Sequence, residues 1–326
     1  MKPYNTDIAV VLIFFNRPEC LKDVFKAIAK ARPSRLYLIQ DGARMNKPND
    51  KSKIEQCREI VSHIDWECDV VKDYSDVNLG CGKRIFTGLT NVFKHEEYAA
   101  IIEDDIVIGE SFLPFCKEIC ERYKDDQRIQ YISGMNHLGI YEDTQCSYFF
   151  SRQGGAIWGW ATWARCWNEL EWDLTPASDA YIIKCLDTQN WQDNLGARLV
   201  VRARKVRENI LNGIYPSFWT THFAFYAAIS NRINIVPKYN LTSNIGLTSE
   251  TTHATDSIYK LPRVVRSVFF KKIYTLEFPL KHPQFVMDDQ HYHLLQSKIM
   301  CPSKFVAFTR KLEVLLYRVF PILGRI

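Results

Sequence analysis

The sequence lacks several patterns that would place it in a common class of protein. Its ten cysteines form no C-x-x-C pair and follow no regular spacing, which argues against zinc and disulfide frameworks. No run approaches the roughly 18 apolar residues of a membrane span. The N-terminus lacks the apolar stretch and small-residue cleavage site of a signal peptide. We therefore expect a cytoplasmic protein.

Glycine motifs for phosphate binding are also missing in their common forms. Neither G-x-x-x-x-G-K-[ST] nor G-x-G-x-x-G occurs. No internal repeat or low-complexity segment interrupts the 326 residues, and the 47% hydrophobic content is close to the soluble globular average. The composition therefore predicts one large or two small folded domains.

The positive charge is concentrated near the end of the chain. The formal net charge is +5, and residues 257–274 contain five basic side chains and no acidic one. Residues 301–326 add five basic side chains against one acidic one. The basic excess therefore lies wholly in the C-terminal quarter.

Apolar runs and helical patterns alternate over the first 105 residues. Four strand-type runs are separated by helical patterns, and the runs are 9–15, 35–39, 68–71 and the segment that ends at Ile102. This alternation predicts an α/β fold with a parallel sheet covered by helices on both faces.

Beyond residue 110 the alternation becomes irregular. Further strands are predicted over 129–133, 147–150 and 233–236. A glycine-rich turn over 154–160 is expected to lead into a helix, 175–212 and 218–229 read as helical, and 239–255 reads as a polar loop.

Three adjacent acids, Glu103-Asp104-Asp105, follow the fourth strand. Neighbouring carboxylates repel one another and resist burial, and a hard divalent cation removes both problems. A solvated acidic turn is the alternative. Because ligands bind at the carboxyl ends of parallel strands, we favour a metal site that faces a crevice.

Two other strand ends and one loop carry polar groups that suit a nucleotide. Asn16-Arg17 follows the first strand and Asp41-Gly42 the second; an Asp-Gly pair is equally consistent with a simple turn. Asn78 to Arg84 places two glycines before a helix, which frees backbone N–H groups for a diphosphate beside Lys83 or Arg84.

The ordered set of motifs resembles a known family. NRP at 16–18, Asp41, the glycine loop at 78–83, the acids at 103–105, GAIWGWATWARCW at 155–167 and the segment 235–246 together are similar to GT-A fold glycosyltransferases. The group they most resemble is the bacterial family 2-like sugar transferases of polysaccharide clusters, which are distantly similar to N-acetylglucosaminyltransferase I. The resemblance covers about residues 7 to 255.

The resemblance implies a fold, ligands and roles for individual residues. It implies a mostly parallel GT-A sheet, a nucleotide-sugar donor (a UDP-sugar first), a bound Mn²⁺ or Mg²⁺, and a glycan or lipid-linked acceptor. The metal would be held by Asp105, with His253 near it. The donor and sugar would be contacted by Asn16, Arg17, Asp41, Asp76, Gly80, Lys83, Arg84, Glu103, Asp104, Trp158 and Trp160; a packed aromatic core is the alternative for the two tryptophans.

One position departs from the family pattern. Relatives place a Trp-Asp pair on the helix before the I-x-P strand, and the acid there supplies the general base, whereas this chain has Trp219-Thr220. A threonine cannot act as a base near neutral pH. His222 and Asp193 are the replacements we predict, with Asp173 and Asp179 as further candidates and a buried structural histidine as the alternative for His222.

The basic C-terminal segment extends beyond the resemblance. We predict a glycosyltransferase domain over 1–256, with a nucleotide half at 1–110 and an acceptor half at 111–256, followed by a basic amphipathic extension over 257–326. The extension suits anionic lipid on the inner face of a membrane, or a helix packed on the domain. No nucleic-acid motif occurs, so no nucleic-acid partner is expected.

These inferences predict a metal-dependent, inverting sugar transfer in surface polysaccharide synthesis. A sugar-phosphate nucleotidyltransferase is an alternative, although it would need a glycine-rich basic signature after the first strand. A non-catalytic subunit that binds nucleotide or glycan is another, because of Thr220.

Overall fold

A computed structural model describes residues 1–189, 191, 194–247, 261–300 and 303–319. An α/β sheet of eight strands in the order β3-β2-β1-β4-β8-β6-β9-β7 forms its centre, and β10 and β5 form a separate two-stranded sheet. The strands are β1 (Thr6–Phe14), β2 (Pro33–Gln40), β3 (Asp69–Tyr74), β4 (Tyr98–Glu103), β5 (Ile106–Ile108), β6 (Ile129–Ser133), β7 (Tyr148–Ser151), β8 (Trp160–Trp163), β9 (Ile233–Pro237) and β10 (Thr242–Asn244).

The large sheet is mostly parallel, as the sequence predicts. Six strands run in one direction, and β8 and β7 run antiparallel to their neighbours. The central strands β1 and β4 are continuous apolar runs because helices cover both of their faces. This burial makes the middle of the sheet a rigid support for the loops at its carboxyl edge.

Helices follow most of the strands. They are α1 (Pro18–Ala31), α2 (Asp50–Ser62), α3 (Cys81–Val92), α4 (Phe112–Arg122), α5 (Ala164–Trp167), α6 (Ala180–Asp187), α7 (Leu195–Leu211), α8 (Thr220–Ile229), α9 (Arg263–Arg266), α10 (Gln290–Met300) and α11 (Lys304–Val319), with a 3₁₀ turn at Thr175–Ser178. In α1, Pro18 fills the first turn, where its missing N–H costs nothing. Its buried residues recur at helical spacing and face the sheet: Leu21, Val24, Phe25 and Ile28.

The tryptophan-rich segment differs from the prediction. Residues 160–163 form β8, which lies antiparallel between β4 and β6, and only the single turn of α5 follows it. All four residues of β8 are buried, since the strand is central in the sheet. The β-branched and aromatic side chains therefore pack as a strand, against the predicted helix.

Two further segments also differ from the prediction. The predicted helix over 175–212 is divided into a 3₁₀ turn, α6 and α7. The predicted polar loop over 239–255 contains β10, which pairs with β5 immediately after the three acids. Both strands of that pair are three residues long, too short for a clear alternation in the sequence.

The C-terminal segment 261–300 packs against the sheet. Tyr292 is fully buried, and its hydroxyl accepts from the backbone N–H of His137 and donates to the side chain of Asn136. The backbone N–H of Asp289 donates to the carbonyl of Phe150 in β7. The predicted boundary at 256 falls outside the described residues, so the division into domain and extension stays a prediction.

The described helices include none with the length and apolar character that crossing a membrane requires.

Candidate functional site

Three parallel strands end side by side at one edge of the sheet. Phe14 of β1 is in register with Gln40 of β2, and Ile13 of β1 with Glu103 of β4. The loops that follow β2 and β4 therefore each begin one strand spacing from the loop that follows β1. This is the edge at which open α/β sheets bind ligands.

An acidic pair after β4 meets a basic residue after β1. The Arg17 guanidinium donates to Asp104 and, over 3.1 Å, to Asp105. The second oxygen of Asp104 accepts from the backbone N–H of Phe15 at 3.1 Å. Asp104 is buried, whereas Asp105 and Arg17 remain partly exposed. The pair is thus fixed to the loop after β1, and Asp105 keeps partial exposure to solvent.

The electrostatics of this cluster reflect its crowding. Burial, followed by the charges of Asp105 and Asp104, raises the pKa of Glu103 to about 8. Burial also raises the pKa of Asp105, although Arg17 opposes this. Burial works against the charged form of Arg17, yet the two aspartates outweigh it and its pKa lies above the usual value. A further positive charge would relieve the repulsion among the three acids.

The segment after β10 lies against the same acids. The backbone N–H of Ile245 donates to the carbonyl of Asp105 at 2.8 Å, and a Cβ on Gly246 would overlap the Asp105 carboxylate. Only glycine allows this approach of backbone to side chain. Residues 245–246 therefore form one wall of the acidic site.

Asp41 organises the glycine loop. One oxygen accepts from the backbone N–H groups of Gly42 and Leu79 at 3.0 and 2.8 Å, and the other accepts from the Gly80 N–H and the Asn78 amide at 2.9 and 3.1 Å. These four donors use the capacity of the carboxylate. Asp41 thus holds the loop that begins α3, and its predicted contact with a nucleotide would have to replace one of these bonds.

The loop it holds ends in an uncommon backbone conformation. Gly80 precedes α3 with φ 80° and ψ 151°, a region open essentially to glycine. The loop directs the free N–H groups at the start of α3 toward the carboxyl edge, which suits an anion. Asp76, also predicted here, is exposed.

Of the two basic residues predicted to contact the diphosphate, Arg84 instead bonds other groups of the protein. Arg84 is buried and bonds Asp73 and the carbonyl of Gln40, so it ties β2 to β3. Lys83 is half-buried, with its ammonium 4.2 Å from the ring centroid of Tyr215. Lys83 lies in the first turn of α3 and, unlike Arg84, makes no ion pair among the described residues, so it is the candidate we retain for the diphosphate.

Asn16 belongs to a network that sequence reasoning missed. Its amide donates to Asp50 at 2.8 Å, and Asp50 also accepts from Arg44 at 2.7 Å. Asp50 is 3% exposed, and the hydrogen bond from Arg44 is the largest cause of its lowered pKa. The network fixes the loop after β1, but nothing in the polar stretch 46–53 indicates a buried acid.

The two predicted aromatic contacts have different positions. Trp158 is half-buried and packs on Phe269 with ring centroids 5.0 Å apart. Trp160 is 1% exposed and stacks on Trp219 at 5.2 Å. Trp160 therefore packs in the core and does not line a sugar site, because β8 is an interior strand.

The predicted base His222 is also in the core. It is 0% exposed, its ring stacks on Trp172 at 5.1 Å, and its two nitrogens lie 2.8 and 3.2 Å from the carbonyl oxygens of Trp172 and Trp219. Burial lowers its pKa. The neutral ring donates from one nitrogen only, since both neighbours are carbonyl acceptors. Its packing between Trp172 and Phe86 encloses it in the core, so it presents no base to the carboxyl edge.

The other predicted bases give no replacement among the described residues. Asp179 caps α6 through the N–H groups of Tyr181 and Ile182, and Asp173 pairs with Arg207. Asp193 and the predicted metal ligand His253 lie outside the described residues. Their roles stay predictions.

The acidic site suits a metal only with help from a ligand. The described residues contain no group of three or more side chains that could hold an ion. One or two carboxylates with substrate phosphates is, however, the usual arrangement for Mg²⁺. Asp105 and Asp104, two adjacent carboxylates after β4, fit that arrangement in number and chemistry.

The comparisons with known proteins give little beyond this geometry. No protein-family model and no curated protein matches the sequence. Among solved structures, the chain is similar to HddC from Yersinia pseudotuberculosis (12% identity, 50% of this chain, 79% of that chain, TM-score 0.30). It is also similar to a UTP-bound UGPase from Acinetobacter baumannii (10%, 73%, 88%, 0.33) and to a UDP-glucose pyrophosphorylase complexed with UDP-glucose (10%, 72%, 91%, 0.33). Likeness at this level assigns no function, so the proposal below rests on the site.

Proposed function

We propose that this protein is a metal-dependent glycosyltransferase that moves a sugar from a nucleotide-sugar, in the first instance a UDP-sugar, to a glycan or lipid-linked acceptor. The observation that supports this most is the contact of Asp104 and Asp105, directly after β4, with Arg17, directly after β1. It brings acidic groups for a cation and a basic group for a diphosphate together at the ligand-binding edge of the sheet.

The chain offers separate groups for each part of the donor. The start of α3, shaped by Asp41 and Gly80, presents N–H groups to a phosphate. Asp105, aided by Asp104, would hold Mn²⁺ or Mg²⁺, which supplies positive charge for the departing diphosphate. Once a cation neutralises the two aspartates, Arg17 can turn its charge toward the same diphosphate, with Lys83 nearby.

The transfer itself is a single displacement with inversion. The acceptor hydroxyl oxygen bonds to the anomeric carbon, the bond from that carbon to the diphosphate oxygen breaks, and the nucleoside diphosphate leaves. The hydroxyl proton passes to a base. Since His222 is enclosed by Trp172, Asp193 is the residue we retain for this role.

The test is product analysis with a panel of nucleotide-sugars and Mn²⁺. A glycosyltransferase releases the nucleoside diphosphate, for example UDP from UDP-glucose. Release is slow without an acceptor, when water hydrolyses the donor, and faster when an acceptor is present. A nucleotidyltransferase instead needs added pyrophosphate and forms UTP with a sugar 1-phosphate. Formation of UTP when pyrophosphate is added would contradict the proposal.

Asp105→Asn is the matching variant because it keeps the shape of the side chain and removes its charge. We expect a loss of turnover of about 10²-fold or more and weaker Mn²⁺ binding in calorimetry with UDP present. Glu110→Gln is the control, because that acid lies beyond β5 and pairs with Lys30 at the surface. Equal losses in both variants, or none in either, would remove Asp105 from the site.

One observation favours a second candidate, a non-catalytic subunit that binds nucleotide. Thr220 occupies the position of the expected acid, and the nearby His222 is buried with both ring nitrogens against backbone carbonyl oxygens. Tight UDP binding without turnover of any donor, with and without Mn²⁺, would support that candidate over the enzyme.

A further inference from the structure

The last described helix, α11, attaches to the rest of the protein through polar side chains. The Arg310 guanidinium donates to the carbonyls of Lys298 and Ile299 at 2.8 and 2.7 Å, at the end of α10. Glu313 accepts from the backbone N–H of Arg263 at 3.1 Å, and Arg266 lies over the ring of Tyr317 at 4.7 Å. The side of α11 that faces the protein is therefore the hydrogen-bonding side.

The opposite side of α11 is apolar and exposed. Its large side chains recur at spacings of three and four residues, so they share one face of the helix. The exposed fraction ranges from 45% to 75% for the five that form this face, Phe305, Phe308, Leu312, Leu315 and Leu316. This arrangement is the reverse of a helix packed on a globular core, where the apolar stripe is buried.

Positive charge accompanies the apolar face. Lys311 is exposed on α11, and Lys298 and Arg263 are exposed on the two segments that hold the helix. Residues 261–319 contain ten basic and four acidic side chains, which gives this part of the chain a net charge of +6. A second copy would bring an equal positive charge against this surface, whereas a negatively charged surface would be attracted to it.

We propose that the apolar face of α11 docks on a bilayer that contains anionic lipid. The helix lies in the plane of the surface, its five apolar side chains enter the acyl boundary, and the basic side chains beside it contact lipid phosphates. This inference does not depend on the proposed reaction.

Vesicle binding by the full-length chain tests the proposal. Sedimentation would compare vesicles of phosphatidylcholine alone with vesicles of equimolar phosphatidylcholine and phosphatidylglycerol. We expect binding to the anionic vesicles only, reduced by high salt because the basic side chains act through charge. Equal binding to both compositions, or binding to neither, overturns the proposal.

Two variants locate the contact on α11. The double variant Phe308→Glu with Leu312→Glu should weaken binding to anionic vesicles by about tenfold or more. Tyr181→Glu with Val201→Glu is the matched control, because it adds the same charge at two other exposed apolar positions. If both double variants bound anionic vesicles equally weakly, the effect would come from net charge alone and the proposal would be overturned.

Lys311→Glu gives an independent measurement that keeps the apolar face intact. We expect weaker binding to anionic vesicles at low salt, and no difference from the wild type at high salt. Light scattering after size-exclusion chromatography tests whether a second copy of this chain covers the apolar face instead. A dimer that the Phe308 and Leu312 substitutions convert to a monomer would assign the face to a second copy and refute docking on lipid. Donor hydrolysis without vesicles, measured in the same variants, reports separately on the proposed reaction.

Discussion

Three adjacent carboxylates have three different environments in this fold. Asp104 is held by Arg17 and by the backbone of Phe15, and Asp105 contacts Arg17, whereas no ion pair of Glu103 is found among the described residues. The pKa of about 8 for Glu103 is the consequence, since burial and two neighbouring charges all favour its protonated form. The three adjacent acids of the sequence therefore differ in contacts and in the pKa of their carboxyl groups.

A substitution of His222 distinguishes a structural role of this side chain from a catalytic one. Because the ring fills a core site between Trp172 and Phe86, His222→Ala should lower the free energy of unfolding by about 2–4 kcal/mol. Donor hydrolysis per folded molecule should not change. Urea unfolding and initial rates at a temperature where the variant is folded check both.

Phe225→Ala on the same helix controls for the loss of stability, since that ring is also fully buried. A loss of turnover of about 10²-fold that Phe225→Ala does not share would restore His222 as the base.

The sequence predicted the position of several polar residues after the strands, while their contacts could not be predicted and their roles stay proposals. The position of a residue after an apolar run places it at the carboxyl edge, so Arg17, Asp41 and Asp105 could be named. Their partners depend on tertiary contacts that no local pattern contains. Asp41 uses its four acceptor positions on the loop from Gly42 to Gly80. Arg84 pairs with Asp73.

At the level of elements, the start of α3 is fixed by a close contact with the segment before α8. A Cβ on Gly82 would overlap the carbonyl oxygen of Pro216 and lie 3.0 Å from the Phe218 nitrogen. Gly82→Ala must therefore move α3 or the 216–218 segment. Because the N–H groups of α3 are proposed to bind the diphosphate, we expect UDP affinity to fall about tenfold or more, measured by calorimetry.

Gly88→Ala in the same helix is the control. There a Cβ meets the Ile39 and Arg84 side chains, which can adjust more easily than backbone. It should lower stability with little effect on UDP binding. A similar fall in affinity for both variants would mean that helix stability, and not the position of its first turn, controls binding.

Elements with a clear period were predicted, and short central ones were not. The long apolar runs of β1, β2 and β4 and the helical spacing of α1 are unambiguous. In β8 every residue is buried, so no alternation distinguishes its four residues from a helix. Its place between β4 and β6 is set by long-range pairing, which local patterns do not encode.

At the scale of the whole molecule, a buried histidine joins the C-terminal segment to the sheet domain. His137 is 5% exposed, and its Nδ1 lies 3.1 Å from the amide nitrogen of Gln296 in α10. Burial, and then repulsion from Lys271, lowers its pKa from 6.5 to about 4. Below pH 6.5 the imidazole of His137 binds a proton in the unfolded chain but stays neutral in the folded protein. The free energy of unfolding therefore falls as the pH falls from about 6.5 toward 4.

Between pH 7 and pH 5 this single group should remove about 2 kcal/mol of unfolding free energy. His137→Gln cannot take up that proton, so its stability should fall by about 2 kcal/mol less over the same interval. Denaturant unfolding at both pH values, with the two chains compared, isolates the contribution from all other titrating groups. Parallel pH profiles for the two chains would contradict the assignment.

The contacts of the C-terminal segment predict how truncation at two positions should affect the protein. Residues 261–300 fill the surface of the sheet domain: Leu276 and Tyr292 are buried, and Phe269 covers Trp158. In α11, by contrast, the apolar side chains are exposed and the attachment rests on a few polar contacts.

A chain that ends at residue 300 should therefore keep cooperative unfolding and donor hydrolysis, while its binding to anionic vesicles is lost. A chain that ends at residue 260 should unfold at lower denaturant or aggregate, because it uncovers those aromatic contacts. Equal stability of the two truncated chains would place the domain boundary near residue 256, where the sequence predicts it.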